Sequence, residues 1–479
     1  MKCVLINPVQ LVCPPFGLLQ IASVLEAAGC LVKVRELQAP QTADYGKQID
    51  ATIEYLHNED PDIIGITCMA AQRFEVRSMI RKIRESSLRG RIIVGGVHAS
   101  FMPEEVMSWG ADFVVIYEGE ETILELLDVI RGNMSPESVL GVYYREGSAI
   151  IKTSPRGPVE DLSKLPLPAY HLVDRRRFTS RRGEIRGRWS RSGWIMTSRG
   201  CPSTCTFCSA HKMFGKRVRY RSMDHIFSEI ALLVTNYRIE TLVLMDDTFT
   251  VNRNFVAEFC KRIKKEYPRM FWNCQARVNL FDDEYAKLLK NSNCIQVDFG
   301  VESGSQKVLD RLKKGIKVED TIRAFEACRK YGLRTVATIM VGNPGEDVDD
   351  LEMTKKLLRR IRPDFYAAYF TTPFPGTDLY EEAKNKGVLD SEERYWHQDA
   401  TPVPFSEIDI KELERYVRKF TNLNIVKNYL FNPVFLFDML YFGITNPSVA
   451  AKIAFNIAMG NSKKALSLVA NSVYFKMET

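Results

Sequence analysis

Short apolar runs alternate with helix-length amphipathic segments from Cys3 to about Gly132: Cys3-Val-Leu-Ile, Leu31-Val-Lys-Val, Ile63-Ile-Gly-Ile, Arg91-Ile-Ile-Val and Phe113-Val-Val-Ile. Runs this short and rich in β-branched residues predict strands, and the intervening segments predict helices, giving five βα units. Strands that alternate with helices imply a parallel sheet covered on both faces, a Rossmann-like doubly wound domain of the α/β class, with ligands beyond the carboxyl ends of the strands. The residues expected at those ends are small or polar: Asn7-Pro8, Thr67-Cys68, Gly95-Gly96-Val97-His98 and Glu118-Gly119-Glu120. A small hairpin, Val139–Tyr144 then Ala149–Ile151, closes this domain near residue 150.

Prolines 155, 158, 166 and 168 and a run of arginines make 151–192 read as a linker. The alternation then resumes with Trp194-Ile-Met-Thr, Thr241–Met245, Trp272–Ala276, Ile295–Phe299, Thr335–Val341 and Phe365–Phe370. Six such units over 193–380 predict a partial (β/α)6 TIM-like barrel with its chemistry at the carboxyl rim. From 381 to 479 the pattern is helical, densest in aromatic and aliphatic residues at Tyr429–Tyr441. This end reads as helices packed on the barrel, with contact to a membrane surface as the alternative. The run Val434–Met459 is broken by Asp438, Asn446-Pro447 and Lys452, so no transmembrane segment is expected.

Charge changes the picture little. The net +7 is accounted for by Arg175–Arg191, which holds eight arginines against the single acid Glu184, and a nucleic-acid binder would spread its basic charge over a face. No nucleic-acid partner is therefore expected. Eleven cysteines, an odd number, argue for free thiols in a reducing, cytoplasmic compartment.

Three of those cysteines carry the chemistry. Arg199-Gly-Cys201-Pro-Ser-Thr-Cys205-Thr-Phe207-Cys208 follows directly on the first strand of the second series. Three thiolates on one polar loop can hold three irons of a four-iron, four-sulfur cluster, leaving the fourth iron for a reactant. Structural zinc is the competing reading, and it would want a fourth ligand, for which His211 is the nearby candidate.

This spacing, with Phe207 before the third cysteine, resembles the radical S-adenosylmethionine (SAM) superfamily. The resemblance implies a 4Fe-4S cluster on Cys201, Cys205 and Cys208 whose open iron chelates the amino and carboxylate groups of SAM, and a 5′-deoxyadenosyl radical released on reduction. It further implies SAM contacts from Phe207, Asp246 and Asp247 after the second strand, Arg277 after the third, and Glu302-Ser303 after the fourth. Carboxylates there suit an ammonium or ribose hydroxyls. Gly342-Asn-Pro-Gly345-Glu346 and Thr372–Thr377 occupy the next two rim positions.

The first domain narrows the resemblance to the cobalamin-dependent, class B members, on Pro14-Pro15-Phe16-Gly17, Gly95-Gly96-Val97-His98 and Glu118-Gly119-Glu120. Pro14, Cys68, Gly95, Gly96, His98, Glu118, Gly119 and Glu120 are the implied cobalamin contacts. The Asp-x-His-x-x-Gly motif that supplies a histidine below cobalt is absent, since this domain holds only His57 and His98. What the resemblance implies is methylation of an unactivated sp3 carbon, the methyl passing from methylcobalamin to a substrate radical. The substrate expected is a peptide or protein residue, such as the glutamine of methyl-coenzyme M reductase, or a small molecule, and the electron donor a ferredoxin or flavodoxin. Tyr366 and Tyr369 on the last strand are the expected substrate contacts. The alternatives are a cyclase of the magnesium-protoporphyrin ester type and a lipid-carbon methylase. A tRNA methylthiotransferase is disfavoured, because it would bring a second cluster site and a basic β-rich end.

Overall fold

The structure, a computed structural model, describes residues 1–10, 13–38, 44–185, 188–389, 403–417 and 451. The expected helical region 381–479, including Tyr429–Tyr441, therefore lies largely outside the described residues.

Two compact units are present. The first holds 1–174, 198–222 and 372–403; the second holds 175–197, 223–371 and 404–479. The chain leaves the second unit at Thr197 to build the cysteine loop in the first, then returns at Met223.

The first unit is organised on a seven-stranded sheet of β1 (Lys2–Asn7), β2 (Leu31–Glu36), β3 (Ile63–Thr67), β4 (Arg91–Gly95), β5 (Phe113–Val115), β6 (Val142–Glu146) and β7 (Ala149–Lys152), in the order β2-β1-β3-β4-β5-β6-β7. The first five are mutually parallel and β6 and β7 run antiparallel. Strands β1, β3 and β4 are buried on both faces because helices cover both, which is why they read as continuous Val/Ile runs. The two apolar layers are distinct: Val4, Ile6, Ile64, Ile66 and Val94 face one, Cys3, Leu5, Ile63 and Ile93 the other. The order reverses between β1 and β3, and the crevice outside their carboxyl ends is the ligand position of such sheets.

The second sheet begins inside the segment expected as linker, where β8 (Arg181–Ile185) pairs antiparallel with β9 (Arg188–Ile195). The arginines there are compatible with strands because Glu240 takes Arg181 and Arg191, each at 2.8 Å. A two-stranded ribbon, β10 (Ser198–Arg199) with β11 (Arg219–Tyr220), belongs to the first unit. Then β12 (Thr241–Leu244), β13 (Phe271–Ala276), β14 (Cys294–Glu302), β15 (Arg334–Val341) and β16 (Phe365–Phe370) complete the second sheet, in the order β16-β15-β14-β13-β12-β9-β8. Its six parallel strands form a half-barrel.

Aromatic packing fixes which face of that sheet is which. Trp272 packs edge-on to Phe249 and Phe259, and Phe299 meets Phe325, so these side chains lie under the outer helices. Their strand neighbours Phe271, Asn273, Gln275 and Asp298 face the lumen. Among the described residues no helix is long and apolar enough to cross a membrane.

Candidate cluster, SAM and cobalamin sites

The cysteine loop in the first unit is closed at its neck by the β10–β11 ribbon, which pairs Arg199 with Arg219. Gly200 has φ +104°, and a Cβ there would stand 2.4 Å from the Arg217 carbonyl oxygen, so only glycine lets the chain cross at this point. The Cys201 amide donates to Gly215 O at 3.2 Å and the Cys208 amide to Cys205 O at 3.2 Å, which folds the loop on itself. Cys201 and Cys205 are buried and Cys208 is half-buried, with the Ala210 amide 3.5 Å from its sulfur, a donor suited to a thiolate. Among the described residues no three His, Cys, Asp or Glu side chains gather as a mononuclear ion would require. Thiolates that each take a separate iron need not share one point, and the donor set suits a 4Fe-4S cluster.

Glu118 and Glu120, expected against cobalamin, have other partners. Arg199 Nη1 donates to Glu118 Oε1 and Arg219 Nη1 to Glu118 Oε2, both at 2.8 Å, and Arg199 Nη2 donates to Glu120 Oε1 at 2.7 Å. The Val159 amide adds a further bond to Glu118 at 2.8 Å. Burial would push the Glu118 carboxyl up, but its bonds to Arg219 and Arg199 outweigh this and hold it below the usual carboxylate range. This clamp was invisible in the sequence, where its members stand roughly a hundred residues apart or fewer.

At the carboxyl edge of the first sheet the residues are short and largely neutral, which suits a bulky corrin approached by backbone. Gly96 has φ +106°, and a Cβ would lie 2.7 Å from Cys68 O, so the β3 and β4 ends can close together only over a glycine. The amides of Cys68 and His98 link these turns, to Gly95 O at 2.8 Å and Cys68 O at 3.0 Å. The side chains of both residues point inward. Cys68 is a core residue whose thiol burial pushes well above its ordinary range. His98, 1% exposed, stacks on Trp109 and places Nε2 3.2 Å from Glu105. Pro14 is buried at the turn into the helix Phe16–Ala27, and Gly119 precedes Glu120–Ile130.

The rim of the half-barrel separates its expected SAM contacts into internal and accessible ones. Asp246 is fully buried and accepts from Thr197, from the amide at 3.1 Å and the hydroxyl at 2.8 Å, which ties the β12 end to the β9 end. Asp247 is exposed at its surface yet has protein close around its carboxyl. That surrounding protein, with the Asp246 charge beside it, pushes the Asp247 carboxyl up to about 6. Arg277 donates to the Lys314 carbonyl. Glu302 is buried at φ +61°, an outlier for a side chain of this size, where β14 slips register against β15, and it pairs with Lys314 at 2.7 Å. Ser303 bonds to Thr354 at 3.2 Å. Glu346, unassigned in the sequence beyond its place on the rim, is fully buried. It accepts from the amides of Gly342 and Asn343, at 2.7 and 3.1 Å, and burial pushes it up to about 7.

Tyr366 and Tyr369 do not share a face, because residues three apart on a strand point oppositely. Tyr366 pairs with Ala337, the partner of Phe299 on the helix-covered side, whereas Tyr369 is 59% exposed on the lumen side.

Two family models match the chain. The model of the Radical SAM superfamily matches residues 195–358 and that of the B12 binding domain residues 2–127. An uncharacterized methyltransferase of Pyrococcus horikoshii is 31% identical over 382 residues, covering 78% of this chain and 80% of its own. The anaerobic magnesium-protoporphyrin IX monomethyl ester cyclase of Rubrivivax gelatinosus is 26% identical over 402 residues, 80% of this chain and 68% of its own. Among solved structures, the radical SAM methyltransferase TsrM of Kitasatospora setae, with cobalamin and a [4Fe-4S] cluster bound, superposes with a TM-score of 0.66 at 21% identity, covering 81% of this chain and 75% of that one. With a B12-binding domain, a three-cysteine loop and a six-stranded half-barrel in one chain, this protein belongs to the cobalamin-dependent, class B radical SAM enzymes, whose cofactors are a 4Fe-4S cluster, SAM and cobalamin.

Proposed function

We propose that the enzyme methylates an unactivated sp3 carbon, and that its substrate is a residue of a peptide or protein, glutamine being the residue to try first. The observation that carries methyl transfer is how the two histidines within residues 2–127, the part matched by the B12 binding domain, are placed. His98 is locked between Trp109 and Glu105, and His57 is exposed in the last turn of Tyr45–Glu59, the helix that leads back to the amino end of β3. Neither imidazole would then be a ligand to a bound cobalamin, which would favour giving up its methyl group to a carbon radical.

When bound, the cluster, SAM and cobalamin supply the 5′-deoxyadenosyl radical that removes a substrate hydrogen and the methyl group that replaces it. The chain's own part is to hold and exclude. Cys201, Cys205 and Cys208 would each take one iron. Asp247 is the accessible carboxylate for an ammonium or a ribose hydroxyl, and Tyr369 offers a phenol and an aromatic face to the substrate. Reducing electrons come from a ferredoxin or flavodoxin, and the odd number of cysteines, eleven, suits a reducing, cytoplasmic compartment, with no nucleic-acid partner.

The experiment is electron paramagnetic resonance of the full chain loaded with cobalamin and reduced to Co(II). The expected spectrum lacks the nitrogen splitting of an axial imidazole. A nitrogen-split spectrum that His98→Ala abolishes would overturn the reading. The cyclase reading is a separate outcome: turnover giving 5′-deoxyadenosine but no S-adenosylhomocysteine.

A further inference from the structure

Arg199 and Arg219 face each other across the β10–β11 ribbon, the neck of the cysteine loop. Like charges directly opposite on paired strands repel, and here both guanidiniums are largely buried, with side chains 14% and 3% exposed. The ribbon is two residues long on each strand, so its own hydrogen bonds cannot hold such a pair together. Glu118 lies against both. Its Oε1 accepts from Arg199 Nη1 at 2.8 Å and Arg219 Nη2 at 3.2 Å, and its Oε2 from Arg219 Nη1 and the Val159 amide, each at 2.8 Å. Four donors fill the acceptor capacity of one carboxylate. Arg219 Nη2 also reaches the Phe214 carbonyl, 2.9 Å away, on the far side of the loop. Glu120 supplies the second negative charge through Arg199.

We infer that Glu118 is a positioning residue for the iron–sulfur cluster: it closes the neck of the cysteine loop against the cobalamin-binding domain by neutralising Arg199 and Arg219. The inference rests on assigning the loop to a cluster and is independent of whether a methyl group is transferred. Replacing the carboxylate with an amide leaves two adjacent buried cations with one counter-charge. The neck then loosens. The lost negative charge also makes addition of an electron to the nearby cluster easier.

The test uses the full chain, reconstituted anaerobically with iron and sulfide, as wild type, Glu118→Gln, Glu118→Gln/Arg219→Gln and, as a control, the exposed Glu121→Gln. Three quantities are read: the rate of iron loss to a chelator, the midpoint potential and resonance line shape of the reduced cluster, and the dissociation constant for hydroxocobalamin. Glu118→Gln is expected to lose iron about tenfold faster, as befits removal of a charge-assisted bond, and to shift the potential positively with cobalamin affinity unchanged. The double variant, again charge-balanced, should recover most of both changes, and Glu121→Gln should change neither. A Glu118→Gln protein with wild-type iron retention and potential overturns the inference. So does one that loses cobalamin affinity alone, since Glu118 would then be a corrin contact. Should Glu118→Gln fail to fold, the double variant decides: wild-type-like iron retention supports charge balance at the neck, and a labile cluster in a folded chain refutes it.

Discussion

Lys314 and Glu302 form a buried ion pair at the half-barrel rim, and its removal gives the sharpest test of the packing described there. The two side chains are 10% and 6% exposed with Nζ 2.7 Å from Oε1. A Cβ on Gly300 would lie 2.4 Å from Oε1 and 2.6 Å from Nζ, so the pair lies directly over this glycine and a side chain there would displace it. Lys314→Met leaves a buried carboxylate without this cation, and Glu302→Gln leaves the ammonium without its anion. Breaking one side of such a pair costs about 3–5 kcal/mol, whereas replacing both partners is often close to neutral. Each single variant should therefore lower the melting temperature of the second unit by roughly 6–20 °C, taking 2–4 °C per kcal/mol for a unit of this size. Glu302→Gln/Lys314→Met should fall by much less than the sum. Glu302 also sits at φ +61°, which costs a non-glycine residue about 1–2 kcal/mol, and Glu302→Gly in the Lys314→Met background should regain some of it. The assay is anaerobic calorimetry of the full chain, following the transition of the second unit. Single variants that each cost under about 1 kcal/mol and simply add in the double would show that the pair is solvated, refuting the description.

Glu346 should make stability pH-dependent. Its folded value of about 7 lies above its ordinary 4.5, so it contributes stability that is complete below about 4.5 and is lost as pH rises through 7, by at most about 3 kcal/mol. Melting curves of wild type and Glu346→Gln should lie close together at pH 5, where the amide mimics the protonated carboxyl, and separate towards pH 8 as wild type falls below the variant; parallel curves would sink the assignment. Asp247, raised to about 6, is charged above that pH; SAM affinity should weaken as pH falls below 6, and Asp247→Asn should flatten the profile. Gly96→Ala should destabilise the carboxyl edge of the first sheet, since its Cβ would lie 2.7 Å from Cys68 O, and weaken cobalamin retention on a desalting column. Retention equal to wild type would remove that edge from the cofactor site.

The alternation of Val/Ile runs with amphipathic segments was enough to read both sheets, because burial on both faces writes itself into a strand as continuous apolar residues. The cysteine loop was equally legible, its ligands being local in sequence. Contacts between distant segments were not. Glu118 and Glu120 read as ligand contacts because they follow a strand, yet Arg199 and Arg219 claim them, and only the folded neck reveals it. Asp246, Glu302 and Ser303 occupy rim positions as expected, but Thr197, Lys314 and Thr354 engage them, leaving Asp247 accessible. Arg175–Arg191 read as a linker because its charge concealed a strand pair that Glu240 neutralises from across the sheet. Tyr366 and Tyr369 show a simpler error of periodicity, since a spacing of three suits one helix face but opposite faces of a strand.

Carbon methylation is tested most directly by supplying the reconstituted, cobalamin-loaded, reduced enzyme with methyl-deuterated SAM and a peptide-containing lysate. The expected product gains one deuterated methyl group in place of hydrogen, with 5′-deoxyadenosine and S-adenosylhomocysteine formed in equal amounts. Formation of 5′-deoxyadenosine with neither S-adenosylhomocysteine nor a labelled product would contradict it.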